Sequence, residues 1–323
     1  MIVAQSPLRI SFFGGGTDIP GVFRRISGAV LSVTIDKFVY VVAKDRFDDQ
    51  IRVAYTRTET VAAVDEVRHD LVREALRLTG VERGIELATF ADIPSEGTGL
   101  GSSSAVTVGL LNALHAYRGE AVGAAQLAQE ACAIELERLV RPIGAQDQYA
   151  SAFGGLRHMA FQPDGRVDCR RVDLGTDTLH RLDERLLLFY TGVSRSAGAV
   201  LEDQAGKVGH NLDTLDAMRR QAEAGEALLR QGALDDFGRL LHEAWCLKRS
   251  LSQRISTDGI DRMYGLAREA GALGGKVTGA GGGGFLLLYC PGARQAAVRA
   301  ALADYRELPF HLWGAGSRIL YQL

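Results

Sequence analysis

Serines and glycines crowd into one short stretch of the chain. Residues 94 to 114 read "PSEGTGLGSSSAVTVGLLNAL", and apolar helix-forming sequence follows the serines at once. The first four N–H groups of a helix have no partner inside it, and the helix dipole places partial positive charge there. Glycines let a backbone approach a ligand closely and take up positive φ. Such a junction is a natural seat for phosphate. Two other glycine stations stand far away in sequence: "SPLRISFFGGGTD" at residues 6 to 18 and "KVTGAGGGGF" at residues 276 to 285. A strand that runs into glycines marks a place where something comes close to the backbone.

Carboxylates lie near these stations. Glu135 sits on the helical segment after the loop helix, and Asp147 follows twelve residues later in "GAQDQ". A carboxylate and a serine hydroxyl are hard oxygen ligands suited to Mg²⁺ that carries a nucleotide. A second carboxylate, free of metal, can accept a hydroxyl proton. Glu137 competes with Glu135 for the first role, and periodicity alone does not choose between them.

Other phosphate and metal chemistries are excluded. Gly279, Gly281 and Gly284 satisfy GxGxxG, but the apolar run "FLLLYC" that follows reads as strand, whereas a dinucleotide site needs a helix there. No GxxxxGK[ST] pattern occurs, so the serine loop lacks a P-loop lysine. The histidines show no metal spacing, and "HEAW" at His242 lacks the second histidine of HExxH. Cys132, Cys169, Cys246 and Cys290 are dispersed, which fits free thiols in a reducing cytoplasm. The net charge of −2 gives no general nucleic-acid or membrane surface. The opening residues lack a signal-peptide pattern, and no apolar run reaches the length of a membrane span.

The elements that must position these groups follow from side-chain pattern. "LRISFF", "VLSVTIDKFVYVVAKD", "IRVAYT" and "GIELATFADIP" are rich in β-branched and aromatic residues and read as strands. "HDLVREALRLTG" reads as a helix with a glycine stop. Ser103 to Tyr117 reads as a helix that is apolar all round and therefore buried. "GAAQLAQEACAIELERLV" reads as a second helix ending near Pro142, followed by the glycine-containing "PIGAQDQYASAFGGL". "LRHMAF", "VDCRRV" and "RLLLFYTG" read as strands, residues 195 to 270 as mostly helical, and the last stretch as strand, glycine loop, strand, helix and two short closing strands. The 323 residues suggest two lobes, residues 1–185 and 186–323.

The three glycine stations, in this order, resemble the three motifs of the GHMP small-molecule kinases, across the whole chain. The resemblance implies an α+β, two-lobed fold: an N-terminal lobe like domain 2 of ribosomal protein S5 and a ferredoxin-like C-terminal lobe. It implies ATP and Mg²⁺. Gly99, Leu100, Gly101, Ser102, Ser103 and Ser104 would line the triphosphate. Ser103 stands where the family places its Mg²⁺-binding serine, and "ELERLVRPIGAQD" has the family's spacing from metal ligand to catalytic aspartate, which favours Glu135 over Glu137. Asp147 matches the catalytic aspartate, and Arg9 the basic residue facing it and the transferring phosphoryl group. Gly279, Ala280, Gly281 and Gly282 match the loop that closes over substrate and phosphates.

Many sugar-kinase members have Gly-Glu-His before Thr-Asp. Here Gly14, Gly15 and Gly16 precede Thr17 and Asp18, so those Glu and His contacts are gone and a bulkier or differently placed sugar is expected, with Gly15, Gly16, Thr17 and Asp18 at its wall. The "FGGGTD" form and its companion segments look most like the heptose 7-phosphate kinases, which implies a sugar phosphate as acceptor. Its phosphate would need cations, for which Arg195, Lys248 and Arg249 are candidates. Another aldose is the alternative acceptor. A non-catalytic sugar-phosphate sensor would be marked by loss of the catalytic acid, metal ligand or loop serines, and all are present.

Overall fold

A computed structural model describes residues 1–94, 97–193, 203, 209 and 211–323. The β-branched and aromatic opening forms β1 (Ile2–Phe13) and β2 (Gly28–Asp45), paired antiparallel. β3 (Ile51–Ala54), β4 (Thr58–Val61), β5 (Ile85–Ala91), β6 (Leu156–Phe161) and β7 (Val167–Arg171) extend this sheet. β2 organises it. One edge pairs with β1, while on the other edge its Val39–Asp45 end pairs with β5 and its Gly28–Val33 end with β6. β3 lies parallel to β5 and antiparallel to β4.

Helices cover the sheet. α1 (Pro20–Ile26) has proline in its first turn, where the missing N–H is harmless. α2 (Asp70–Thr79) flanks α3 (Ser102–Tyr117), which is buried against β1 and β2 almost all round, as its composition requires. α4 (Ala124–Cys132) runs straight into a π-helical turn, Ala133–Arg138, where the expectation was an unbroken helix towards Pro142. α5 (Gln146–Phe153) was not anticipated: it is two turns long, bracketed by glycines, and too short to show periodicity. α6 (Thr176–Asp183) leads to the second sheet.

That sheet has β8 (Leu186–Tyr190), β9 (Gly274–Val277) and β10 (Phe285–Tyr289) in the antiparallel order β8-β10-β9 among the described residues. α7 (Leu212–Arg230), α8 (Leu234–Ser250), α9 (Asp258–Glu269) and α10 (Gly292–Ala301) complete the helical part. Side chains alternate across a strand, and both faces here are dry. Leu186, Leu188, Phe285, Leu287 and Tyr289 join the core beneath the first sheet. Leu187, Phe189, Leu286 and Leu288 join a second core with Trp245, Ile260 and Met263. β11 (Leu312–Trp313) and β12 (Arg318–Gln322) then return to β2 and β1, so the first sheet is not confined to residues 1–185. Among the described residues no helix is long and apolar enough to cross a membrane.

Candidate active site

β1 delivers Arg9 to the mouth of α3. The Arg9 backbone N–H donates to the Leu100 carbonyl at 3.0 Å. Its Nε donates to Asp147 Oδ1 at 2.7 Å and its Nη2 to Oδ2 at 2.6 Å, while Nη1 donates to the Gly99 carbonyl at 2.7 Å. A guanidinium fork of this kind fixes both the position and the rotation of a carboxylate. Arg9 is 5% exposed and Asp147 21%, so the acid reaches the cleft while the cation backs it. Gly101, the N-cap of α3, has φ 78°, and a Cβ there would lie 3.3 Å from both Asp147 Oδ2 and Arg9 Cγ. No side chain caps α3, which leaves the helix mouth open to an anion.

The serine loop and the C-terminal glycine loop touch backbone to backbone. A Cβ on Gly99 would meet the Thr278 carbonyl at 2.5 Å, and one on Gly279 would meet Gly99 Cα at 2.6 Å. Thr278 Oγ1 donates to the Thr98 carbonyl at 3.1 Å and stitches the seam. The cleft beneath encloses about 1080 Å³ with its open mouth included. Gly15, Gly16, Asp18, Gly99, Gly101, Ser102, Ser103, Ser104, Asp147, Lys248, Gly279, Ala280 and Gly281 all line it. One cleft therefore gathers residues from all three glycine stations.

Asp18 lies at its floor. The Gly16 N–H donates to Oδ1 at 2.8 Å, and Gln146 Nε2 donates to Oδ2 at 3.0 Å. Gly144 makes this possible, since a Cβ there would meet Asp18 Oδ2 at 1.8 Å. Burial pushes the Asp18 carboxyl above its usual range, the Gly16 N–H pulls it back, and nearby Asp147 adds to the rise. Lys248 is buried, and its ammonium donates to the Gly279 carbonyl. Burial draws Lys248 down to about 8 against the opposing pull of Asp18. Lys276, which sequence reasoning passed over within "GKVTG", is buried too and donates to the Ser11 and Phe12 carbonyls at 2.8 and 3.2 Å. It pins β9 to the end of β1.

The π-helical turn separates the two competing glutamates. Glu137 is exposed and Glu135 is fully buried. Ser104 Oγ donates to Glu135 Oε2 at 3.2 Å, while Oε1 is buried without a partner. Burial lifts the Glu135 carboxyl to about 7, against the opposing effects of the Thr107 and Ser104 hydroxyls and the Arg141 charge. Arg141 Nη1 donates to Ser103 Oγ at 2.8 Å and lies 3.9 Å from Glu135 Oε2. An unsatisfied carboxylate oxygen, on a carboxylate that already holds the Ser104 hydroxyl, fits a hard cation. Among the described residues no three His, Cys, Asp or Glu side chains converge. A divalent ion there would depend on hydroxyl and phosphate oxygens as well.

Several expected contacts fall elsewhere. Thr17 does not reach the cleft: its hydroxyl is spent on the Gly14 and Ala29 carbonyls at 2.8 and 3.0 Å, closing the turn. The Leu100 side chain is buried in the core, so this position can offer a ligand only its backbone. Gly282 points its N–H at the Ile255 carbonyl and lies behind the lining. Arg249 does not follow Lys248, its neighbour on α8, into the cleft. It pairs with Asp261 at 2.7 Å and lines a separate surface hollow with Cys246 and Ser256. Arg195 lies outside the described residues. Arg141, Gly144, Gln146, Thr98 and Thr278 line the cleft although sequence reasoning assigned them no role. Their signal was proximity: each lies within the quoted motif segments or beside Asp147.

Family models for the GHMP kinases N-terminal domain and the GHMP kinases C-terminal domain match residues 62–155 and 226–307. A D-glycero-alpha-D-manno-heptose 7-phosphate kinase of Campylobacter jejuni is 33% identical over 306 residues, covering 89% of either chain. The chain belongs to the GHMP kinase family. A bifunctional L-fucokinase/L-fucose-1-P guanylyltransferase of Bacteroides fragilis is 27% identical over 93% of this chain and 35% of that one. The crystal structure of a D-glycero-D-manno-heptose 1-phosphate kinase from Bacteroides thetaiotaomicron superposes over the full length of both chains with a TM-score of 0.84 at 23% identity, which supports the fold. This GHMP kinase is a sugar kinase, a phosphotransferase with an alcohol acceptor and ATP as phosphate donor.

Proposed function

We propose that this GHMP kinase phosphorylates the anomeric C1 hydroxyl of D-glycero-D-manno-heptose 7-phosphate and releases the 1,7-bisphosphate. The observation that carries the reading is the Arg9–Asp147 fork, set at an uncapped helix mouth beside buried Asp18. Phosphoryl transfer needs positioning and charge stabilisation more than covalent help. Asp147 orients the C1 hydroxyl and takes its proton as the sugar oxygen forms its bond to the terminal phosphorus. The bond from that phosphorus to the ADP oxygen breaks, and ADP leaves. Arg9 offsets the negative charge that gathers on the phosphoryl oxygens and holds Asp147 in line. The α3 mouth and the loop from Gly99 to Ser104 hold the triphosphate. Ser103 and Glu135 would hold Mg²⁺, which neutralises triphosphate charge when bound. Asp18 binds sugar hydroxyls, and Lys248 supplies positive charge at the acceptor side.

The heptose phosphate is favoured by the Campylobacter relative and by the triple glycine before Thr17, where no bulky side chain crowds the acceptor. The Bacteroides fragilis relative favours a second reading, a fucose-type aldose. Steady-state ADP-release assays with heptose 7-phosphate, free heptose, fucose and galactose separate them. The expected result is a kcat/KM for heptose 7-phosphate at least about a hundredfold above the free sugars, the worth of two charge-assisted hydrogen bonds. Equal or higher turnover of an unphosphorylated sugar overturns the heptose phosphate assignment. Failure to turn over any of them points to a sensor.

A further inference from the structure

The serine loop has no lysine of its own, yet a cation stands at its mouth. Arg141 lines the cleft and presents Nη1 to Ser103 Oγ at 2.8 Å. Its Nη2 donates to both oxygens of Asp70, at 3.0 and 2.8 Å. Asp70 opens α2, so the arginine is tethered from outside the loop. The same helix face holds the π-helical turn through Glu74, which lies 3.6 Å from Arg138.

The backbone around Arg141 is built for this placement. Val140, just before it, has φ 48°, a left-handed conformation that a β-branched residue rarely adopts. Val140 is 75% exposed, so burial of its side chain does not compensate. The Arg141 N–H closes onto the Glu135 carbonyl at 2.9 Å, and the Arg141 carbonyl accepts from Ile143 at 2.8 Å. Strained residues persist where the surroundings demand a particular geometry. The geometry obtained here is a guanidinium edge between Ser103 and Glu135.

We propose that Arg141 is a nucleotide-polyphosphate contact of this kinase, held by Asp70, and that it releases Ser103 and binds phosphate oxygens when ATP enters. This rests on the reading of the cleft as an ATP site. Ser103 Oγ cannot serve Arg141 and a divalent ion equally, because two cations would crowd one hydroxyl oxygen. A phosphate arriving at the α3 mouth gives the guanidinium a better acceptor than a serine hydroxyl. Asp70 keeps the other edge fixed, so the move is short.

Calorimetric titration of ATP and ADP, with and without Mg²⁺, tests this on the full chain and on R141M, R141K and D70N. R141M is expected to lose at least about tenfold in metal-free ATP affinity, R141K to recover part of it, and D70N to lose less than R141M. Added guanidinium is expected to restore part of the R141M loss. Unchanged metal-free ATP affinity in folded R141M overturns the proposal. Tighter binding of Mg·ATP by R141M also overturns it, since that would make Arg141 only a stand-in for the metal. If the parent chain binds no ATP, the reading of the cleft fails instead.

Discussion

At the residue scale the acid and its cation form one unit. Asp147 is presented by α5 and aimed by Arg9 on β1, elements 138 positions apart in the chain. The resemblance named both residues, and the bidentate fork is what their side-chain chemistry allows. Replacing Asp147 by Asn keeps the shape, weakens the fork and removes the proposed proton acceptor. D147N is expected to lower kcat by about a thousandfold or more, with ATP affinity within about threefold of the parent. Single-turnover kinetics and nucleotide titration read the two separately, and near-parental turnover would remove Asp147 from the chemistry. Thr17 teaches the converse. It sits inside a motif, yet its hydroxyl serves the turn that presents Asp18. Motif membership gives a residue's neighbourhood and leaves its direction to the backbone. Lys248 and Arg249 make the same point, since consecutive helix positions face about 100° apart and only one enters the cleft.

At the element scale, strands and long helices were legible because their patterns are long. β2 and α3 leave little room for another reading. The short pieces were not. α5 carries Asp147 in only eight residues, and the π-helical turn after α4 leaves no mark in composition. That turn decides which glutamate is buried, a choice periodicity left open. Two residues beyond its end stands Val140, whose left-handed backbone costs about 1–2 kcal/mol for an ordinary L-residue. V140N is therefore expected to stabilise the fold by about 1 kcal/mol, since asparagine tolerates this region. Urea unfolding checks it, and a midpoint at or below the parent's contradicts it.

At the scale of the whole molecule, distant pairings were the hardest to foresee. Nothing in residues 312–322 says which sheet they join, because an isolated strand carries no address for its partner. Their pairing with β1 and β2 brings the end of the chain beside its beginning. Global stability also has a pH-sensitive element. His115, near the end of α3, lies between Glu120 and Glu130, each 2.7 Å from a ring nitrogen. Burial pulls the imidazole down, but the two carboxylates outweigh it and hold it above its ordinary value of 6.5. The folded state thus keeps a proton that the unfolded chain has lost. This contribution is full below about pH 6.5 and disappears as pH rises through the raised value. H115N is expected to lose a few degrees of Tm at pH 6 and much less at pH 9. Melting curves across that range test it, and an equal loss at both ends would show that packing alone is at stake.

The seam between Gly99 and Gly279 has a practical consequence for anyone re-tooling this enzyme. Not one methyl group fits there, so no library of substitutions along that line can broaden the choice of acceptor without prising the two loops apart. Room for a larger sugar has to be carved elsewhere in the lining, where Ile19 and Ile143 border the same hollow.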